Sequence, residues 1–129
     1  MQAWFEEVWN QGDGTAIDRY FSKEGIAWGI GVVPLSHGQY KEHFQNFRTQ
    51  MPNIKIDILD AVSEGEKIAL RCLATIDREE ANPRTFEGMT FCTIRDGLLV
   101  EAWNVWDFQE MMRQIGKDPS SSLEKGQIE

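Results

Sequence analysis

The hydrophobic period of this chain changes at Pro52, and that change sets the order of its fold. Before it, Tyr40, Phe44, Phe47 and Met51 recur at helical spacing as one long apolar stripe. Ser36 and Gln39 stand ahead of the stripe in a capping-box pattern, each side chain able to satisfy the other's backbone N–H. Pro52 stops the helix, because its ring lacks an N–H and crowds the preceding turn. After it, Ile54, Ile56 and Ile58 alternate with Lys55 and Asp57, the period of a strand. The phase slips at Ile58–Leu59, which predicts a β-bulge and a bend. Glu64-Gly65-Glu66 turns the chain, and Ile68, Leu70, Cys72, Ala74 and Ile76 mark the buried face of the next strand. A loop over Glu79 to Arg84 leads to a strand over Thr85 to Arg95. Asp96-Gly97 then has the composition of a type I′ hairpin turn, from which Leu98 to Val105 returns antiparallel.

Ahead of the long helix, Trp4, Phe5, Val8 and Trp9 fall at helical spacing until Gly12-Asp13-Gly14 breaks the run. A short helix carrying Ile17, Tyr20 and Phe21 follows and is expected to end at Gly25. Ile26 to Val33 alternates large and small residues, a strand with Ile26, Trp28, Ile30 and Val32 on its bulky face. At the other end, Phe108, Met111, Met112 and Ile115 predict a last helix stopped by Gly116. The expected organisation is one domain over residues 1–116 with a polar, Ser-rich tail over 117–129. The fold class is α+β: a strongly curved antiparallel sheet wrapped around the N-terminal helices and the long helix. Such a sheet forms a cone with an apolar interior.

Charge removes several classes of partner. Asp and Glu number 21 against 13 Lys and Arg, a net charge of −8, and no basic cluster offers a grip for a phosphate backbone or an anionic membrane. No apolar run approaches the length of a membrane span, and no signal peptide is evident. Cys72 and Cys92 have neither zinc spacing nor a CxxC arrangement and read as reduced thiols of a cytoplasmic protein. His37 and His43 have no Cys or carboxylate at ligand spacing, so no metal site is expected. His43, just beside the apolar stripe, reads as a boundary residue. No GxSxG, Walker loop or GxGxxG is present.

The last strand is the informative segment. Strand parity, counted along LLVEAWNVWD, places Leu99, Glu101, Trp103, Val105 and Asp107 on one face. A carboxylate desolvated among aromatic neighbours has a raised pKa suited to proton transfer. Asp107-x-x-Glu110 equally resembles a capping box, and an N-cap carboxylate is held ionised. Spacing leaves both roles open.

FEEVWNQGD over Phe5 to Asp13 and AIDRYF over Ala16 to Phe21 resemble the opening of SnoaL-like polyketide cyclases, members of the nuclear transport factor 2-like superfamily. Arg95-Asp96-Gly97, VEAWNVWD over Val100 to Asp107 and MMRQIG over Met111 to Gly116 resemble their end. The resemblance implies a cone-shaped, cystatin-like α+β barrel, a homodimer formed through the outer sheet face, and no metal or organic cofactor. It also implies that Asp107 is the general acid/base of an intramolecular aldol ring closure. Two stretches depart from the family's pattern: Ile26-Ala27-Trp28-Gly29-Ile30, where relatives often carry His or Asp, and the short 79–84 loop.

The resulting expectation is an enzyme acting on a hydrophobic carbonyl compound by aldol-type cyclisation or a related isomerisation. Trp28, Met89, Phe91 and Trp103 would line the pocket, and Asn104 would orient a carbonyl if a bulge or twist brings it inward. Trp4 and Trp9 would close the cone, while Trp106, on the opposite parity, would face a partner subunit. The alternative is a non-catalytic, dimeric small-molecule-binding protein of the same fold.

Overall fold

A computed structural model describes residues 1–77, 81 and 83–115. In chain order it contains α1 (Gln2–Trp4), a π-helical turn (Phe5–Asn10), α2 (Ala16–Tyr20), β1 (Phe21–Trp28), α3 (His37–Gln50), β2 (Lys55–Glu64), β3 (Lys67–Ile76), β4 (Arg84–Arg95), β5 (Leu98–Trp106) and α4 (Phe108–Gln114). Residues 79, 80 and 82 of the expected loop, the Gly116 stop and the 117–129 tail lie outside the described residues.

The α+β architecture is as expected. One curved, unclosed sheet of five strands, ordered β1-β5-β4-β3-β2, wraps the N-terminal helices. Strands β2 to β5 pair antiparallel, but β1 pairs with β5 in parallel, so the sheet is mixed rather than wholly antiparallel. The capping box of α3 forms in full: Gln39 N–H donates to Ser36 Oγ at 3.4 Å, and Ser36 N–H donates to Gln39 Oε1 at 2.9 Å. That helix buries Tyr40 and Phe44 against the first helical segment. Trp9 meets Phe44 and Phe47 edge-on at 5.0 and 5.4 Å, and its Nε1 donates to Tyr40 Oη at 3.1 Å. Such edge-on aromatic contacts add to the burial itself. Asn10 ties this plug to the sheet, donating to Ile56 O at 3.1 Å and accepting from Ile56 N–H at 2.6 Å.

The sheet has three register shifts, one of them in β1 between Phe21 and Ile26; the other two are single-residue bulges that set its shape. The first, between Ile58 and Asp60, leaves Leu59 as the extra residue, where the sequence period slips. The second lies in β5: Thr93 pairs with Glu101 and Ile94 with Leu99, so Val100 is the extra residue. It shifts the facing of everything that follows it.

The segment after α2 differs from expectation. The helix ends at Tyr20, β1 starts at Phe21 and stops at Trp28, and residues 29–33 are bends rather than strand. Ala27 is buried in the core, so the bare face of this stretch is the inner one, while Ile26 and Trp28 stand on the other side. The strand stops where Gly29 takes a φ of +82° and lies directly on the last strand; a Cβ there would sit 1.8 Å from the Asn104 carbonyl oxygen. Asn104 Nδ2 donates to Trp28 O at 3.1 Å and fixes the same crossing. Gly65 also has positive φ, +59°, but with open space around it. Gly29→Ala should therefore lose about 2–3 kcal/mol in denaturant unfolding. Gly65→Ala should lose only about 1 kcal/mol, the cost of left-handed backbone alone. Equal losses would mean that the Gly29 contact is not tight.

Candidate functional site in the cone

Because Val100 is an extra residue, Leu99 and then Ala102, Asn104 and Trp106 turn into the cone. From β4 come Phe86, Thr90 and Cys92, and from α3 come Tyr40, His43 and Phe47. Together with Trp4, Phe5, Trp9 and Phe21 they surround a cavity of about 50 Å³. Its half-buried lining residues, Met1, Ile30, His43, Phe47, Asn104, Trp106 and Phe108, form the rim.

The polar groups of this cavity are few. Tyr40 Oη accepts from Trp9 Nε1, and burial holds its hydroxyl well above the ordinary phenol value. Thr90 Oγ1 and Cys92 Sγ share a hydrogen bond of 3.3 Å, and burial raises the Cys92 thiol despite that bond. Asn104 Oδ1 accepts from Trp106 Nε1 at 3.4 Å, while Nδ2 is used once, on Trp28 O. His43 is half-buried, and desolvation holds its imidazole below the ordinary value of 6.5, so the ring is neutral at pH 7. Among the described residues no carboxylate lines the cavity, and no group of His, Cys, Asp and Glu is arranged to hold a metal. A wider cavity of about 320 Å³ lies between Met1, Trp4 and the β2–β3 and β4–β5 turns. Its charged side chains are already engaged, Glu66 with Arg95 and Lys67 with Thr93.

The structure redistributes the residues expected in the pocket. Trp28, Met89, Phe91 and Trp103 lie on the outer face of the sheet, with Met89, Phe91 and Trp103 exposed by 56%, 48% and 47%. Trp28 and Trp103 are register partners whose rings stack at 4.6 Å and 3°. Trp106, expected outside, lies inside; a Cβ on its partner Gly88 would come within 2.1 Å of the indole. Asn104 does reach the cavity, by the bulge. Tyr40, Thr90, Cys92 and His43 were not among the expected lining residues. The helical stripe Tyr40–Phe44–Phe47 passes beside His43 and is the signal that could have found it.

Asp107 is exposed and outside the cavity lining. Its carboxylate accepts from Glu110 N–H at 3.0 Å as the N-cap of α4, and its own N–H donates to Glu87 O at 3.0 Å. The sequence left cap and acid/base open, and the geometry supplies the cap's contacts.

The whole described fold, residues 1–115, matches the family described as SnoaL-like polyketide cyclase. The chain belongs to that family. Among solved structures it is similar to wild-type IdmH of Streptomyces antibioticus, a proposed polyketide cyclase, at 20% identity and a TM-score of 0.76, covering 89% of this chain and 94% of that one. A proposed polyketide cyclase from Bacillus cereus ATCC 10987 gives 23% identity and a TM-score of 0.75, over 85% and 74% of the two chains. A Catenulispora acidiphila protein described as having a ketosteroid isomerase-like fold, in complex with trimethylamine, gives 14% identity and 0.75, over 89% and 90%. These likenesses establish the fold. No curated protein matches the sequence.

For this SnoaL-like chain the capping role of Asp107 is open to direct measurement. Asp107→Ala should destabilise the protein by about 1 kcal/mol, whereas Asp107→Asn, another good N-cap, should cost a few tenths at most. An Asn variant as unstable as the Ala variant would argue against the cap.

Proposed function

We propose that this SnoaL-like protein is a small-molecule enzyme acting by acid–base chemistry on a hydrophobic carbonyl compound, in an aldol-type cyclisation or a related isomerisation. The observation that carries the reading is an apolar cavity into which a few polar side chains converge: His43, Tyr40, Thr90 and Asn104. Family membership and the cyclase descriptions of similar structures favour the same chemistry. A void of about 50 Å³ holds a few waters. A ring-sized substrate therefore enters by displacing the rim, whose side chains are only half-buried. The alternative, a binding protein without turnover, is favoured by the lack of any carboxylate among the described lining residues.

An aryl methyl ketone, 2-acetonaphthone, separates the two readings. Both predict that it quenches indole fluorescence from Trp9 or Trp106. Only the enzyme reading predicts that the protein speeds exchange of the ketone's α-protons with D2O. Binding with exchange at the buffer rate would leave a binding protein.

We also propose a homodimer through the outer sheet face. Register aligns Val62, Ala69, Phe91, Trp103 and Trp28 in one row across all five strands. Asp60, Arg71, Met89 and Val105 form the row beside it, and Arg71 pairs with Asp60 at 2.8 Å. An aromatic row with charges of both signs at its border is self-complementary under a two-fold axis. A contiguous exposed apolar patch of this kind calls for a partner. Light scattering should give twice the chain mass of 14.8 kDa, and Trp103→Glu should halve it. A wild-type monomer would end this proposal.

A further inference from the structure

The reaction proposed above needs a group that moves a proton, and the cavity itself offers one. We propose that His43 is that group: its imidazole takes the proton α to the carbonyl of an apolar substrate. This rests on the enzyme reading and adds the residue. Three observations lead to His43. It lines the cavity rather than the solvent side of α3. It lies three residues after Tyr40 and four before Phe47, both of which line the same cavity, so the helix period keeps all three on one side. It is also half-buried at the rim, between an apolar interior and water, where a proton can be both taken from a ligand and exchanged.

The other titratable groups lining the cavity do not compete for the role. Tyr40 on the same helix and Cys92 on β4 are both held neutral by burial. Met1 also lines the cavity and brings no acidic or basic side chain to it. No Asp, Glu, Lys or Arg side chain lines the cavity among the described residues. The desolvation that lowers the His43 pKa keeps the ring unprotonated and ready to accept.

In the step itself the substrate's α-C–H bond breaks and an N–H bond forms on the imidazole. The C–H electron pair moves into the bond to the carbonyl carbon, and the negative charge collects on oxygen. The free Nδ2 hydrogen of Asn104 and the hydroxyl of Tyr40 are the donors on the same cavity for that oxygen. The imidazolium then returns a proton to carbon, and the ring is neutral again.

The test is α-proton exchange of 2-acetonaphthone in D2O, followed by NMR for the wild type, His43→Gln and Asp107→Asn. His43→Gln should lower the protein-dependent rate by about 100-fold or more, the usual range for loss of a general base. Asp107→Asn should leave it unchanged. The wild-type rate should fall as pH drops through a value below 6.5, as the ring takes up a proton. Should the Gln variant fold poorly, the wild-type protein still decides. With two histidines in the chain, the His43 ring resonances can be assigned and must shift when the ketone binds. Exchange that survives His43→Gln, or ring resonances that ignore the bound ketone, overturns the proposal while leaving the enzyme reading intact. A wild type without exchange overturns both.

Discussion

The Asn10 side chain pairs with both backbone groups of Ile56, and the interior of the cone depends on that pairing. Strand β2 is an edge of the sheet, and a buried edge N–H and C=O must find partners. A neighbouring strand would supply them in a closed barrel; here one amide does so from the end of the first helical segment. The consequence is positional. With Asn10 fixed, Val8 and Trp9 are carried into the sheet at a set height, and Trp9 meets Tyr40, Phe44 and Phe47 edge-on. The helical plug and α3 are thereby locked together, and β5 adds its own side chains to the same interior.

Most of the fold was legible because its signals are local. The stripe ending at Pro52, the Ser36–Gln39 box, the Asp96-Gly97 turn and the slip at Ile58 each declare themselves within a few residues. The site was less legible for an equally local reason. Leu98, Leu99 and Val100 are all apolar, so a bulge among them leaves no break in the pattern, and parity counted through it is wrong by one residue. That single slip exchanges Trp103 for Trp106 as the inward residue and brings in Asn104. In β4 both faces carry large apolar residues, Phe86 and Cys92 inward, Met89 and Phe91 outward, so alternation alone does not choose between them. At Gly29 the end of β1 is decided by contact with Asn104, seventy-five residues away in sequence, which no local pattern records.

The two faces of β5 divide the tryptophans by task. Trp103, stacked on Trp28, adds to an outward row suited to a flat, apolar partner. Trp106 turns inward and packs near Phe86 at 6.1 Å, with its indole N–H held by Asn104. Trp4 and Trp9 fill the cone from the helical side. The apolar surface implied by five tryptophans is therefore shared between a core and a face, and only part of it borders the cavity.

That division bears on which kind of base the cavity can hold. An ionised carboxylate inside this aromatic cavity would lose its hydration with no Lys or Arg among the described lining residues to replace it, at a cost of several kcal/mol even after relaxation. A neutral imidazole has no such penalty to meet before substrate arrives. Its charge appears only as the proton transfers, when an opposite charge is forming on the substrate beside it. Asp107 meets the same constraint from the other side: its carboxylate stays exposed, outside the cavity lining, and accepts the Glu110 N–H as the cap of α4. The Asp, Glu, Lys and Arg side chains of the described residues thus stay out of the cavity lining, and the proton transfer we propose inside falls to a group that enters the reaction uncharged.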